Sequence, residues 1–249
     1  MLCKNNWDYA EPGILYWDRI ANWNLLSNDP EFEYAGVNPC AEEPLPAGGS
    51  CLLGAINLAE FVKGGNFAWD DFMAAVRTAV NALNKVLDEG LEKHPLQEQR
   101  HTVRDWRQIG LGIMGLADML IQMHIPYGSK ESIEICDAIG YVMANTAIRT
   151  SAELASKTGS AYRMCDSERV MQSPFFVSHV KEDDAVLLQL VERYGLANSQ
   201  LLTIAPTGSI STMLGVSGGI EPIFANSYER TTKSLHGHDE VYKVYTPIV

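Results

Sequence analysis

The stretch SQLLTIAPTGSISTMLGVSGGIEPIF, Ser199 to Phe224, changes character twice. LLTIA (Leu201–Ala205) is a short apolar run of the length a buried strand needs. PTGS (Pro206–Ser209) is a turn, and ISTML (Ile210–Leu214) begins a helix. A strand that turns straight into a helix is the repeating unit of α/β architecture. Helical patterns dominate the rest of the chain, so the expected class is a helix-rich α/β fold.

WDDFMAAVRTAVNALNKVLDEGLEK (Trp69–Lys93) repeats Phe72, Val76, Val80, Leu83 and Leu87 at spacings of three and four. That predicts an amphipathic helix with Asp70 as N-cap. Ser129–Thr158 reads as a long helix closed by Gly159, and Asp183–Tyr194 as a shorter one closed by Gly195. Glu11–Leu26 also reads as a helix, with Pro12 in its first turn and a stripe of Ile14, Trp17, Ile20 and Leu25. AINLAEFV (Ala55–Val62) is a short apolar segment closed by a KGGN turn. RQIGLGIMGLADMLIQM (Arg107–Met123) keeps a helical period but carries Gly110, Gly112 and Gly115. Each glycine costs a helix about 1 kcal/mol relative to Ala, so a neighbouring backbone is expected to approach closely there. GLGIMG has the G-x-G-x-x-G spacing of a dinucleotide fingerprint, but no strand is predicted before it, so it is not read as one. Beyond Tyr228 the chain turns polar and includes His236 and His238. No repeat or linker interrupts residues 1–249, which read as a single domain.

The 249 residues are 46% hydrophobic and 20% charged, as expected of a soluble globular chain. No apolar run approaches the roughly 18 residues of a membrane helix, and the first residues carry no signal-peptide pattern, which points to the cytoplasm. The formal net charge of -12 argues against binding nucleic acid through its phosphates. A small phosphorylated ligand stays compatible, since a helix N-terminus holds a phosphate without much basic charge. The five cysteines, at 3, 40, 51, 136 and 165, are odd in number and scattered, unlike a disulfide framework. Cys136 lies in a helical apolar pattern and is expected to be buried; Cys165 has no evident chemical neighbours.

Two constellations carry chemistry. In P-T-G-S-I-S, Thr207, Ser209 and Ser211 offer hydroxyls, Gly208 permits close backbone approach, and the helix start offers free N–H groups, Ile210 among them. That outlines a phosphate cradle, and equally a Ser/Thr cap after a turn. The other is NPCAEEPLPAGGSC (Asn38–Cys51). Asn38, Cys40 and Glu42 alternate, so an extended segment would turn an amide, a thiol and a carboxylate to one face. Partial burial would raise such a carboxylate toward the range of a general base. Cys51 could return to Cys40 or pair with another cysteine. A zinc site wants four N/S ligands, and no C-x2-C or H-x3-H spacing accompanies these two thiols. A redox or radical thiol, a metal site and an inert loop all remain open on the residues alone.

The residues N-P-C-A-E-E-P-L and G-S-C-L-L-G-A-I-N-L resemble the catalytic loop of the ribonucleotide reductase large chain, most closely the adenosylcobalamin-dependent class II enzymes. A-P-T-G-S-I-S with S-G-G-I-E-P-I-F resembles that family's substrate-phosphate loop, and A-E-P-G-I-L-Y-W-D-R and I-G-L-G-I-M-G-L-A-D match further segments in the same order. The resemblance implies a central part of a ten-stranded α/β barrel. It implies that Cys40 becomes a thiyl radical, that Glu42 is the base for the 3′-OH proton, that Asn38 binds substrate hydroxyls and that Cys51 is one of two reducing thiols. Glu43 falls to structural support. The phosphate loop maps to Thr207, Gly208, Ser209, Ile210 and Ser211. Adenosylcobalamin as cofactor, a ribonucleoside diphosphate as substrate and a thiol reductant such as thioredoxin follow by the same resemblance, with no directly bound metal. The family's second reducing cysteine, its effector-reading loops and its C-terminal cysteine pair have no match here, and Cys3 lies too close to the first matched segment. The expectation is therefore a partial barrel working with the remaining reductase segments or subunits, the alternative being a catalytically silent phosphate-binding remnant.

Overall fold

A computed structural model of the chain describes residues 1–159, 161–232 and 237–248; His236 lies outside them. The chain opens with helix α1 (Leu2–Tyr9) and the short α2 (Trp17–Asn22). The helix expected over Glu11–Leu26 is thus confined to its middle. Burial explains the difference: Ile14 and Trp17 of its apolar stripe stay exposed, and Leu25, which is buried, lies past the helix end. A short helix without a covered face is marginal in water.

An antiparallel ribbon of β1 (Gly36–Val37) and β2 (Pro44–Leu45) follows. AINLAEFV contributes to strand β3 (Leu53–Asn57) and a 3-10 turn, Leu58–Phe61, capped by the Asn57 side chain accepting from the Ala59 N–H. The KGGN turn joins β4 (Val62–Lys63) to β5 (Asn66–Phe67). Helix α3 (Trp69–Gly90) buries the five residues whose spacing predicts it. Its N-cap is Ala68 rather than Asp70; Asp70 and Asp71 sit in the first turn, where their charge suits the helix dipole.

After α4 (Gln97–Trp106) comes the main departure from the sequence reading. GLGIM is strand β6 (Gly110–Met114), and only Leu116–Gln122 is helical, as α5. Every residue of β6 is buried. A strand covered on both faces has no alternation, so its apolar run passes for helical periodicity. The close approach expected of the glycines is present, since a Cβ on Gly112 would lie 2.3 Å from the Thr203 carbonyl oxygen.

Helix α6 (Lys130–Thr158) starts where the Ser129 side chain accepts the Ser132 N–H and ends at Gly159, with φ 71°. Its buried face, Ala144, Ala147, Ile148, Ser151, Ala152 and Ala155, is built of mostly small side chains. The short α7 (Ser167–Met171) and α8 (Pro174–His179) lead to α9 (Ala185–Tyr194), which packs on α6, as does α3. The chain continues through α10 (Gly208–Leu214) to a hairpin of β7 (Ser227–Thr232) and β8 (Glu240–Tyr245).

Strands β3 and β6 pair in parallel from Leu53↔Gly110 to Asn57↔Met114, with α3 and α4 between them in sequence. LLTIA runs along the other edge of β6. A parallel bridge joins Leu111 to Leu202, the Ile109 and Leu111 N–H groups donate to the Gln200 and Leu201 carbonyls, and the Thr203 N–H donates to Leu111. The strand expected there is therefore an edge segment held by few bonds. The described residues supply three parallel segments and close no barrel. No helix among them is long and apolar enough to cross a membrane.

A buried polar knot sets the starts of β6 and the edge segment. Asn84 of α3 and Asn198 exchange amide hydrogen bonds of 3.0 and 2.9 Å. Asn198 also donates to the Arg107 carbonyl, and the Ser151 hydroxyl of α6 donates to Asn198. The Arg107 guanidinium reaches Asn84 and the Ala197 carbonyl. Both amides are almost fully buried, so each of these bonds replaces one that water would have made.

Candidate active site

The β1–β2 ribbon presents residues 38–43 as a loop, and Asn38 organises it. The Ala41 N–H donates to the Asn38 carbonyl at 2.9 Å, closing a turn over Pro39 and Cys40. Pro39 suits the first central position of such a turn. The Asn38 side chain bridges the remainder: its Nδ2 donates to Glu42 Oε2 at 2.7 Å and its Oδ1 accepts the Glu43 N–H at 3.0 Å. Asn38 and Glu42 do meet, but through a turn with Ala41 at φ 66°, not through the alternation of an extended segment. Cys40 is exposed at the tip as a free thiol.

The loop is fastened to the edge segment. The Thr203 hydroxyl donates to the Glu42 carbonyl at 2.5 Å, and the Gln200 amide donates to Glu43 Oε1 at 3.0 Å. The Gln200 carbonyl takes donors from Tyr34 and Gln108, which fixes which end of its amide faces Glu43. Glu43 is fully buried. Burial pushes its carboxyl up to about 7 and the Glu42 charge adds to the rise, while the Thr203 hydroxyl and the Gln200 amide beside it oppose the rise. Gly110 makes room for it, since a Cβ there would lie 2.9 Å from Glu43 Oε2. Glu42 instead lines a cavity of about 590 Å³ together with Arg19, Trp23, Tyr34 and His179.

Cys51 precedes β3 and is also exposed and free. Partial burial raises its thiol above the usual range, and the charges of Glu43 and then Glu42 push the same way, so the fold brings this thiol near both carboxylates. Cys136 is half-buried rather than fully buried. Cys165, expected to have no neighbours, sits beside Tyr162 and Ser167, and burial raises its thiol too. Among the described residues no three His, Cys, Asp or Glu side chains gather to hold a metal ion.

At the far end of the edge segment, Thr207 takes a left-handed backbone (φ 53°) and caps α10. Gly208, Ser209 and Ile210 stand exposed at its start, where their N–H groups have no partner within the helix. Ser211 is different: its side chain is buried and its N–H returns to the Thr207 carbonyl. The Thr207 hydroxyl accepts the Gly219 N–H at 2.8 Å, tying P-T-G-S to S-G-G. Ser217 is pinned in turn to the start of α5: it accepts from the Gly115 and Ala117 N–H groups, and its own N–H donates to the buried Asp118 at 2.7 Å. A cavity of about 360 Å³ opens beside Gly208 and Thr212, and Arg230 reaches the Thr212 hydroxyl across it.

Thr203, Gln200, Asp118 and Arg230 are absent from the sequence reading. Their partners lie far along the chain, so no spacing rule could find them; only the two S-G-G and P-T-G-S motifs hinted that their surroundings were shared.

Comparison with known proteins agrees in extent with the motifs. The family model described as "Ribonucleotide reductase, barrel domain" matches residues 1–246. The chain is 35% identical to a protein of Thermoplasma acidophilum named vitamin B12-dependent ribonucleoside-diphosphate reductase, over 90% of this chain and 26% of that protein. A protein of the same name from Mycobacterium tuberculosis H37Rv is 31% identical over 94% of this chain and 30% of its own length. The ribonucleoside-diphosphate reductase subunit alpha of Chlamydia pneumoniae is 28% identical over 85% of this chain and 22% of its own. The chain thus spans between a fifth and a third of the length of these relatives.

Proposed function

The chain belongs to the ribonucleotide reductase barrel-domain family, and from that premise we propose that it carries the thiyl-radical and base residues of a ribonucleotide reduction. The observation that carries the reading is the clamped turn: an exposed thiol, Cys40, two residues from a carboxylate, Glu42, held by the Asn38 amide at 2.7 Å. Cys40 removes the 3′ hydrogen atom of the ribose, and Glu42 takes the 3′-OH proton. The Asn38 amide has a second N–H for a substrate hydroxyl, because only one is spent on Glu42. Cys51 and a second thiol from the remaining reductase segments supply two electrons to the 2′ carbon and end as a disulfide, while the 2′-OH leaves as water. A thiol reductant such as thioredoxin restores the pair. The exposed N–H groups of Gly208, Ser209 and Ile210 take the substrate's diphosphate, with Thr207 and Ser211 shaping the loop around it.

The open position of Cys40 at the loop tip fits a cofactor approaching from outside the turn, and it is the residue this reading places against adenosylcobalamin. When bound, that cofactor supplies the one-electron oxidation that makes a thiyl from the thiol. The three parallel segments then form part of the family's ten-stranded barrel, completed by other reductase segments.

The test is reduction of a ribonucleoside diphosphate with adenosylcobalamin and dithiothreitol, using the chain alone and with complementing reductase segments. Turnover is expected only with the complement, and Cys40→Ala should abolish it. No turnover in any combination would replace this reading with that of a silent phosphate-binding module. Turnover by the chain alone would remove the need for a second thiol from elsewhere.

A further inference from the structure

Glu43 is the most deeply buried acidic side chain of the loop, and its Oε2 has no hydrogen-bond partner. Its surroundings offer little to an anion. Gln200 gives one N–H to Oε1. From the edge segment, Thr203 has a single hydroxyl proton, which lies on the Glu42 carbonyl. From β6 the facing residue is Gly110, which has no side chain to offer. The titratable groups nearby are Glu42 on the same turn, Tyr34 ahead of β1 and Cys51 ahead of β3, and each is anionic or neutral. No Lys, Arg or His among the described residues pairs with it.

A proton on Oε2 resolves this arrangement. The acid O–H can then turn to the lone pairs of the neighbouring Thr203 hydroxyl, which stays free to donate to Glu42, and Gln200 still serves Oε1. The buried Oε2 then needs no donor, and the loop carries one charge instead of two. Without that proton, the Thr203 hydroxyl has two claimants, the Glu42 carbonyl and the Glu43 carboxylate, and the charged one is the stronger acceptor.

We propose that Glu43 is a positioning residue held as a neutral acid, and that its ionisation draws the Thr203 proton away from the Glu42 carbonyl and releases the turn that carries Glu42 and Cys40. Glu43 touches no substrate. It keeps the neighbouring charge off Glu42 and keeps the Glu42 backbone fastened. The role in turnover rests on the reading of Glu42 as the base; the protonation itself does not.

The experiment therefore separates the two. The chain labelled with 13C at glutamate side-chain carboxyls is titrated by NMR. One resonance is expected to titrate near 7 and to be missing from Glu43→Gln, whose amide mimics the neutral acid. Amides of Ala41 to Glu43 should exchange faster above that midpoint than base catalysis alone accounts for, and Glu43→Gln should show no such step. If every glutamate titrates in the ordinary carboxylate range, or the high one persists in Glu43→Gln, the proposal is overturned. Should Glu43→Gln not fold, Gln200→Leu removes the amide donor to Oε1 and should move the same resonance to higher pH; an unmoved midpoint overturns the assignment. In the complemented enzyme, Glu43→Gln should keep its turnover below neutral pH and lose the parent's alkaline decline attributable to this group. Turnover that keeps the parent's whole pH profile defeats the positioning role. Absence of turnover in parent and variant alike defeats the functional reading and leaves the titration result standing.

Discussion

Replacing Gly112 with Ala tests how tightly the edge segment is held. The new Cβ would lie 2.3 Å from the Thr203 carbonyl oxygen and 3.4 Å from the Ile204 Cα. The atom in the way is backbone, so no side-chain rotation relieves it. Ordinary contact requires the segment to retreat by about 1 Å, since carbon contacts settle at roughly 3.5–4.0 Å. Retreat stretches the bonds from Leu111 to Leu201 and from Thr203 to Leu111, now 2.9 and 3.1 Å. Overpacking costs about 1–3 kcal/mol, and each weakened hydrogen bond about 0.5–1.5. Ala recovers about 0.5–1 kcal/mol of chain entropy, leaving a net loss of about 2–4. At roughly 2–4 °C per kcal/mol for a chain of this size, the melting temperature followed by circular dichroism should fall by about 5–15 °C. Gly140→Ala is the control: it lies in α6 with nothing within 4 Å of the new Cβ. There the helix gains about 1 kcal/mol, and the melting temperature should rise. A Gly112→Ala chain as stable as the parent would show that the edge segment is free to move without cost and is not held as described.

Other consequences are measurable. In the complemented enzyme, Glu42→Gln should lower turnover by roughly 10²–10⁴-fold with substrate binding kept, as for loss of a general base. Asn198→Ala strips partners from Asn84, Ser151 and the Arg107 carbonyl. At about 1–3 kcal/mol for each buried group left unpaired, urea denaturation should show a loss of about 3 kcal/mol or more. The pH dependence of stability carries the signature of Glu43, whose carboxyl rises from 4.5 to about 7 on folding. A raised carboxyl binds its proton more tightly in the folded state, so this stabilisation is whole below 4.5 and is lost as pH climbs to about 7. At about 1.4 kcal/mol per pH unit the loss is about 3 kcal/mol, and Glu43→Gln should not show it. Asp118→Ala removes the acceptor of the Ser217 N–H and should raise KM for the diphosphate more than it lowers kcat; the reverse pattern would place Asp118 in the chemistry.

The strongly periodic helices are legible because each buries one face along its length. Phe72, Val76, Val80, Leu83 and Leu87 of α3 show this most directly. β6 misleads for the opposite reason: it is covered on both sides, and its glycines answer a neighbour that local sequence cannot reveal. The Glu11–Leu26 segment has the right spacing but little to cover it. At the site, the grouping of Asn38 with Glu42 is readable, whereas the turn that creates it depends on Ala41 adopting φ 66°. Thr203 and Gln200 stay hidden because their partners, Glu42 and Glu43, lie 161 and 157 positions away.

The edge segment holds the Cys40 loop through Thr203 and leads to Thr207 at the start of α10. Four residues of extended chain span at most about 14 Å. Under the proposed function this stretch acts as a ruler between sugar and phosphate, anchored at one mark by Glu42 and at the other by Gly219. Its length, rather than any single phosphate contact, would then decide how many phosphates a substrate can carry and still place its 3′ carbon at Cys40. Inserting one residue after Ile204 should change the preference among mono-, di- and triphosphates; unchanged ratios of kcat/KM would show that the measuring is done elsewhere.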